Sequence, residues 1–322
     1  MRKTSDMTSS EAIALIEAAS EPDDLFTGDA AHRYRRLAQL THPDVCPGDP
    51  HAASAFSKLA ALWQRHSERG GQAVAKGDIA NLYLVRQGLL KLARDPEDND
   101  LMRREAAALA HLQGKVESRL LAFFPRLVEV QRRRDPRSGV ERQASVLDRL
   151  DGFRALSEVR AAFAGGVDPR DAAWMWRRLL LAVGAAHRSG AVDGAVLPEH
   201  VMIHPAEHGL VLVDWCYSTI GAAGRLPAIV ARYRDWYPDE VLAGQPAGPD
   251  VDIWLATRCM TDLIGGLMPP RLASFAAGCT LTNPRRRPAD AWELLAELDG
   301  VLDRLYGPRT FRPFAIPAQR TR

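Results

Sequence analysis

The hydrophobic period of this chain changes at Gly70-Gly71, and that change constrains the fold more than any other feature. Before it, apolar residues recur at helical spacing, with Ala55, Phe56, Leu59, Leu62 and Trp63 sharing a face of a helix expected from His51 to Arg65. Two earlier amphipathic stretches, EAIALIEAA and DAAHRYRRLAQL, predict helices, the second running from Asp29 to Leu40 and stopped by Pro43 and CPGDP. After the glycines, the short apolar runs IANLYLV and LLKLAR suit paired strands. PEDNDLMRREAAALAHL then reads as a helix, and RLVEVQ and RQASVLDRL read as strands around the turn DPRSG. From residue 153 the pattern is mainly helical. A long helix opens at Asp168-Pro169, and the brief strands VMIHP and LVLVDW follow it. The expected class is α+β.

The length of 322 residues agrees with roughly two domains at about 150 residues each. With 46% hydrophobic and 25% charged residues the chain has enough apolar material for a core. No run reaches the roughly 18 apolar residues of a membrane span, and the first residues lack a signal-peptide core. A cytoplasmic chain with no membrane partner is expected. A net charge of +2 is too small to argue for nucleic acid, and Arg132–Arg134 and Arg285–Arg287 read as solvated loops or helix ends. Cys46, Cys216, Cys259 and Cys279 have no C-x-x-C spacing and read as reduced structural thiols. Lys is rare, at five positions (3, 58, 76, 91 and 115) against 37 Arg, so a Lys at a site that prefers one is informative.

His42-Pro43-Asp44 lies between the second and third helices, flanked by YRRLAQLT and AFSKLAALW. Pro43 stiffens the loop, Asp44 offers an acceptor to an ion pair on a partner, and Arg33, Arg35 and Arg36 form a basic stripe suited to an acidic surface. This is docking chemistry, with no nucleophile in place. Across residues 20–69 the segment resembles the J-domain of DnaJ-type cochaperones, with Thr41 where an aromatic is common. The resemblance implies that His42, Pro43, Asp44 and the three arginines bind a seventy-kilodalton heat-shock chaperone and stimulate its ATPase.

Residues 72–305 resemble a protein kinase in the order of their parts. Lys91 stands for the third-strand lysine that grips phosphates, and Glu105 for its helical partner. DGAVLPEHVMI, residues 193–203, has the length of the catalytic loop and keeps Pro198. Asp214 stands for the metal-binding aspartate of D-F-G, Pro238 and Glu240 for A-P-E, Asp252 for the helix-start aspartate, and Arg287-Pro288 for the late arginine. The resemblance implies ATP held by Gly77, Lys91, Glu105 and Asp214, with Mg²⁺ or Mn²⁺ on Asp214.

The substitutions then decide the chemistry. The catalytic base is replaced by Ala195, which accepts no proton, and the next lysine by Leu197. His200 replaces the second metal ligand, although Mg²⁺ prefers oxygen. Cys216 replaces the glycine of D-F-G, and the glycine-rich loop is reduced to AKGDIA around Gly77 and Asp78. Ordinary phosphoryl transfer is not expected, and no catalytic residue is assigned. The expected organisation is a helical J-domain (1–70), a kinase-like N-lobe (71–150), a helical C-lobe (151–305) and a Pro/Arg-rich tail (306–322). The expected function is a cochaperone whose pseudokinase module binds or scaffolds a client of unknown identity. Two alternatives stand beside it: an atypical kinase-fold enzyme using Asp193, His200 and Asp214, and a switch that senses ATP through Lys91, Glu105 and Asp214.

Overall fold

The computed structural model describes residues 7–26, 30–42, 45–70, 74–134, 139–221 and 224–317. They fall in two compact units, residues 1–91 and 92–322. The division lies inside a strand rather than at Gly70-Gly71, where the period changes.

The first unit opens with α1 (Ser9–Ala18), capped by Thr8, whose side chain accepts from the N–H of Glu11 while the Glu11 carboxylate accepts from that of Thr8. A short turn α2 (Pro22–Leu25) precedes α3 (Ala30–Thr41) and α4 (Pro50–Gly70). Tyr34, early in α3, stacks on Trp63, late in α4, at 4.5 Å, while His42 after α3 meets Phe56 early in α4 at 5.3 Å. The two helices are therefore antiparallel. Ala12, Ile16, Leu25, Phe26, Leu37, Ala55, Leu59 and Leu62 form the core between these helices. Thr41 is buried there, and its hydroxyl donates to the Leu37 carbonyl at 2.9 Å, so the polar group costs little in that position. The third helix continues beyond Arg65 as far as Gly70, further than its apolar spacing predicts. Strand β1 (Ala75–Lys76) pairs antiparallel with β2 (Ala80–Val85), and β3 (Gly88–Ala93) lies beside β2.

In the second unit α5 (Asn99–Lys115) is followed by β4 (Leu127–Arg134) and β5 (Glu141–Leu147), an antiparallel pair with a register shift near Leu127. Arg132–Arg134 thus belong to a strand, not to a loop or helix end. Asn99 fastens α5 to β5: its amide donates to the Glu141 carbonyl at 2.7 Å and accepts from the Gln143 N–H at 2.6 Å. After β6 (Arg154–Ala155) and α6 (Leu156–Ala162) comes the long α7 (Pro169–Ser189), capped by the Asp168 carboxylate and ended by Gly190 in the left-handed region. Strand β7 (Ala191–Val192) leads to the hairpin β8 (Val201–His204) and β9 (Gly209–Leu212); β6 pairs with β8, and β10 (Thr219–Ile220) pairs with β7. The chain closes with α8 (Asp239–Leu242), α9 (Pro249–Ile264), α10 (Pro270–Cys279) and α11 (Ala291–Tyr306). A Cβ at Gly184 of α7 would stand 2.7 Å from the indole nitrogen of Trp292 on α11, so glycine is what lets these helices approach.

Beyond α11, residues 307–317 run without regular structure across α7. Phe311 stacks on His208 at 4.6 Å, and His208 stacks on Trp174 at 4.2 Å. Phe314 is buried against Phe163 and Trp174, and Arg312 binds Asp171 at 2.7 Å. No helix among the described residues is long and apolar enough to cross a membrane.

Candidate functional site

The loop between β7 and β8 is held from below by one buried carboxylate. Asp252, in the first turn of α9, accepts the N–H of Asp193 at 2.9 Å and that of Gly194 at 2.8 Å, and His187 Nε2 at the end of α7 donates to it at 2.9 Å. Three donors offset the cost of removing this carboxylate from water. Gly194 has φ +75, and a Cβ there would lie 2.5 Å from Leu226, so only glycine fits.

Asp193 is fully buried. One carboxylate oxygen accepts the Ala195 N–H at 3.2 Å, and the other has no hydrogen-bond partner among the described residues. Burial pushes its carboxyl well above the usual range, and the charges of Asp252, Asp214 and Glu105 push the same way. Ala195 is buried and presents only a methyl group.

The Ala195 carbonyl receives His200 Nδ1 at 2.8 Å, while His200 Nε2 lies 3.2 Å from Asp214 Oδ2. Asp214 follows β9 with φ 66 and ψ 60, a left-handed conformation that Asp tolerates better than most residues. It opens a short 3₁₀ turn, Trp215–Tyr217. That turn is anchored by Trp215, whose indole donates to the Leu212 carbonyl at 2.9 Å and whose ring meets Phe124 edge-on at 5.5 Å. The buried Cys216 is thereby brought beside α5. Glu105 on α5, also buried, presents a carboxylate oxygen that lies with an Asp214 oxygen and the Cys216 sulfur, all within 4.8 Å of one another. Three of the side chains singled out in the sequence thus converge, Glu105, Asp214 and Cys216, and His200 meets this group through Asp214.

The other expected positions fall on both units. Gly77 is exposed in the turn between β1 and β2, where its N–H donates to the Ala80 carbonyl at 2.8 Å. Lys91 is buried at 7% exposure on β3, the last residue of the first unit. Its pairing with Glu105 joins residues of the two units and stands as an expectation. His42 is half-buried at the end of α3, where Arg33 and Arg36 are half-buried and Arg35 is exposed; Pro43 and Asp44 lie outside the described residues. Arg287 is not solvated but buried, paired with Glu240 and Asp250 and stacked on Trp254 at 4.4 Å. The sequence marks Cys216 as a structural thiol and a lost glycine; its sulfur as a neighbour of Glu105 emerges from the packing of the turn on α5.

Of these donors, Asp214 offers oxygen, and Glu105, too, offers a carboxylate oxygen; His200 offers nitrogen and Cys216 sulfur, which Mg²⁺ disfavours.

No family model matches this chain. It is 26% identical over 105 residues to the SNF1-related protein kinase catalytic subunit alpha KIN12 of Arabidopsis thaliana, covering 33% of this chain and 21% of that protein. It is 29% identical over 124 residues to the "Putative cyclin-dependent kinase F-2" of Oryza sativa subsp. japonica, covering 38% of each. The chain therefore spans between 21% and 38% of the length of these curated relatives. Part of this chain is distantly similar to protein kinases, and its mixture of helix and sheet, with a strand-rich part, is consistent with a kinase-like fold.

Proposed function

We propose that this chain is a cytoplasmic cochaperone whose first unit carries a J-domain and whose second is a pseudokinase that binds or scaffolds a client. The observation that carries the first half is the antiparallel pair α3 and α4 with His42 at its turn. The reading takes Pro43 and Asp44 to complete the docking tip and Arg33, Arg35 and Arg36 to meet an acidic face on a seventy-kilodalton heat-shock chaperone. Ala195 supports the second half, because a buried methyl group cannot take a proton from a substrate hydroxyl. The test is the chaperone's ATPase rate with and without the purified chain. Stimulation by wild type that is lost in His42→Gln supports the proposal; equal stimulation by both overturns it.

A second reading rests on the His200–Asp214 contact. The kinase relatives imply ATP with a divalent metal, and in this reading Lys91, Glu105 and Asp214 bind it either as a sensor or in an atypical transfer. Thermal shift with ATP, ADP, Mg²⁺ and Mn²⁺ separates the cases. A shift without turnover fits a sensor, metal-dependent consumption of ATP fits an enzyme, and no shift leaves the scaffold.

A further inference from the structure

The tail and α7 enclose basic cavities that the proposed function does not use. We infer that they form a binding site for a phosphomonoester, a phosphoryl dianion carrying a small organic group.

Two cavities, of about 210 and 200 Å³, lie where the tail crosses α7. Both are lined by Arg170 and Arg177 of α7 and by Arg309, Thr310 and Arg312 of the tail. Among the described residues no carboxylate lines either one. The nearby acids instead hold the arginines in place. Asp168 accepts from Nε and Nη2 of Arg170 at 3.1 and 2.6 Å, and Asp171 accepts from Nε and Nη2 of Arg312 at 2.7 and 3.3 Å. Asp299 accepts from Nε of Arg177, whose side chain is only 13% exposed. A guanidinium carries its N–H donors in a rigid fork, so a carboxylate on one edge orients the rest. Among the described residues, Nη1 of Arg170 and of Arg312 and both Nη atoms of Arg177 have no protein acceptor. Arg309 is exposed and makes neither a hydrogen bond nor an ion pair among them.

Oriented donors around an acid-free cavity call for an anion rich in oxygen. The four guanidinium charges outnumber the three carboxylates that hold them, so the wall stays positive. A phosphomonoester brings a charge of about −1.5 to −2 and three strong acceptor oxygens, and Arg meets phosphate in bidentate geometry. A carboxylate brings less charge and fewer oxygens to the same wall. Space remains for an organic group, since a cavity of about 150 Å³ already holds benzene. Apolar surface is present beside the arginines: Trp174 in the first cavity, and Leu302, Tyr306 and Pro308 in the second. Because Arg309 and Arg312 belong to the tail, the ligand bridges tail and helix, and its binding holds the tail down.

The site shares no residue with the Ala195 loop or the His42 turn, so it stands or falls apart from the cochaperone and pseudokinase readings. The test is calorimetry on the full chain with phenyl phosphate, in low-salt buffer free of phosphate and sulfate. Benzoate serves as the monoanion with the same ring. Phenyl phosphate should bind saturably and more tightly than benzoate. Arg309→Gln should weaken it at least about tenfold, the scale of a lost hydrogen bond to a charged group. Arg309 has no partner to lose, so this variant keeps its fold, which circular dichroism checks; Arg234→Gln, an exposed arginine that lines neither cavity, should leave affinity unchanged. Phenyl phosphate should also slow tryptic cleavage after Arg309, whereas the bond after Arg312 precedes Pro313 and resists trypsin in any case. A short phosphoserine peptide run alongside distinguishes the sources: tighter peptide binding assigns a phosphoprotein, tighter phenyl phosphate a small molecule, and either supports the site. No saturable binding, benzoate binding as tightly, or unchanged affinity in Arg309→Gln would overturn it.

Discussion

Asp252 accepts the N–H of Gly194 at 2.8 Å, and through it α9 sets the position of the loop that carries Ala195 and His200. The same carboxylate also receives Asp193 and His187. Asp252→Ala leaves these buried donors without an acceptor, and hydrogen bonds to a charged group are worth about 1.5–3 kcal/mol each. The expected loss is about 3 kcal/mol or more in urea unfolding, with the α7–α9 region opening first in hydrogen exchange. A change under about 1 kcal/mol would refute the anchoring role.

Arg287 is paired with Glu240 and Asp250 in a buried setting and stacks on Trp254. Removing one partner strands a buried charge, so Glu240→Ala should cost about 3–5 kcal/mol. Arg287→Lys should rescue little, because an ammonium lacks the planar fork that reaches both Glu240 oxygens and the carbonyls of Leu281 and Thr282. Thermal unfolding of the two variants side by side checks both statements. Near-wild-type stability in Arg287→Lys would contradict the geometry.

The buried Asp193 carboxyl is held well above the usual range by desolvation and by neighbouring carboxylates. As pH rises from acid, the unfolded chain loses this proton first, so the folded state binds more protons and stability falls with pH. Asp193→Asn abolishes that term while keeping an oxygen for the Ala195 N–H. The variant's Tm minus that of the wild type should therefore increase from acid to neutral pH. A difference that is flat or declines across that range would show that the carboxyl is not protonated in the folded chain.

Transfer of phosphate from ATP to the chain itself or to generic protein substrates should be absent. A general base contributes about 10²–10⁴ in rate, and Ala195 cannot act as one. Ala195→Asp alone should not restore transfer, because His200 and Cys216 still occupy the magnesium side of the site. Radiolabel incorporation measures this, and robust labelling that disappears in Lys91→Ala would disprove it.

Much of this architecture was legible because local patterns carry it. The periodicity of Leu59, Leu62 and Trp63 announces α4, and the spacing around Pro198 locates the Ala195 loop. Asp252 and Arg287 were placed by motif order, but the burial of Arg287 was not legible, since a run of three arginines looks solvated until Glu240 is seen across from it. Likewise Arg132–Arg134 carry no periodic signal of a strand; they extend the strand expected from RLVEVQ because β5 pairs with them as far as Glu141. Cys216 escaped notice as a donor because its partner Glu105 is more than a hundred residues away in sequence, a proximity that only the packing of the Trp215–Tyr217 turn on α5 creates.

The tail that lays Phe311 on His208 and buries Phe314 is in effect a tethered ligand of α7. A short tether from Tyr306 presents it at an effective concentration on the order of millimolar, so individually weak contacts keep it seated. A separate peptide with the same F-R-P-F order competes against that concentration rather than against a free surface. Removing the tether, by truncation after Tyr306, would convert the shelf of Trp174 and His208 into an open acceptor to which the peptide binds in trans.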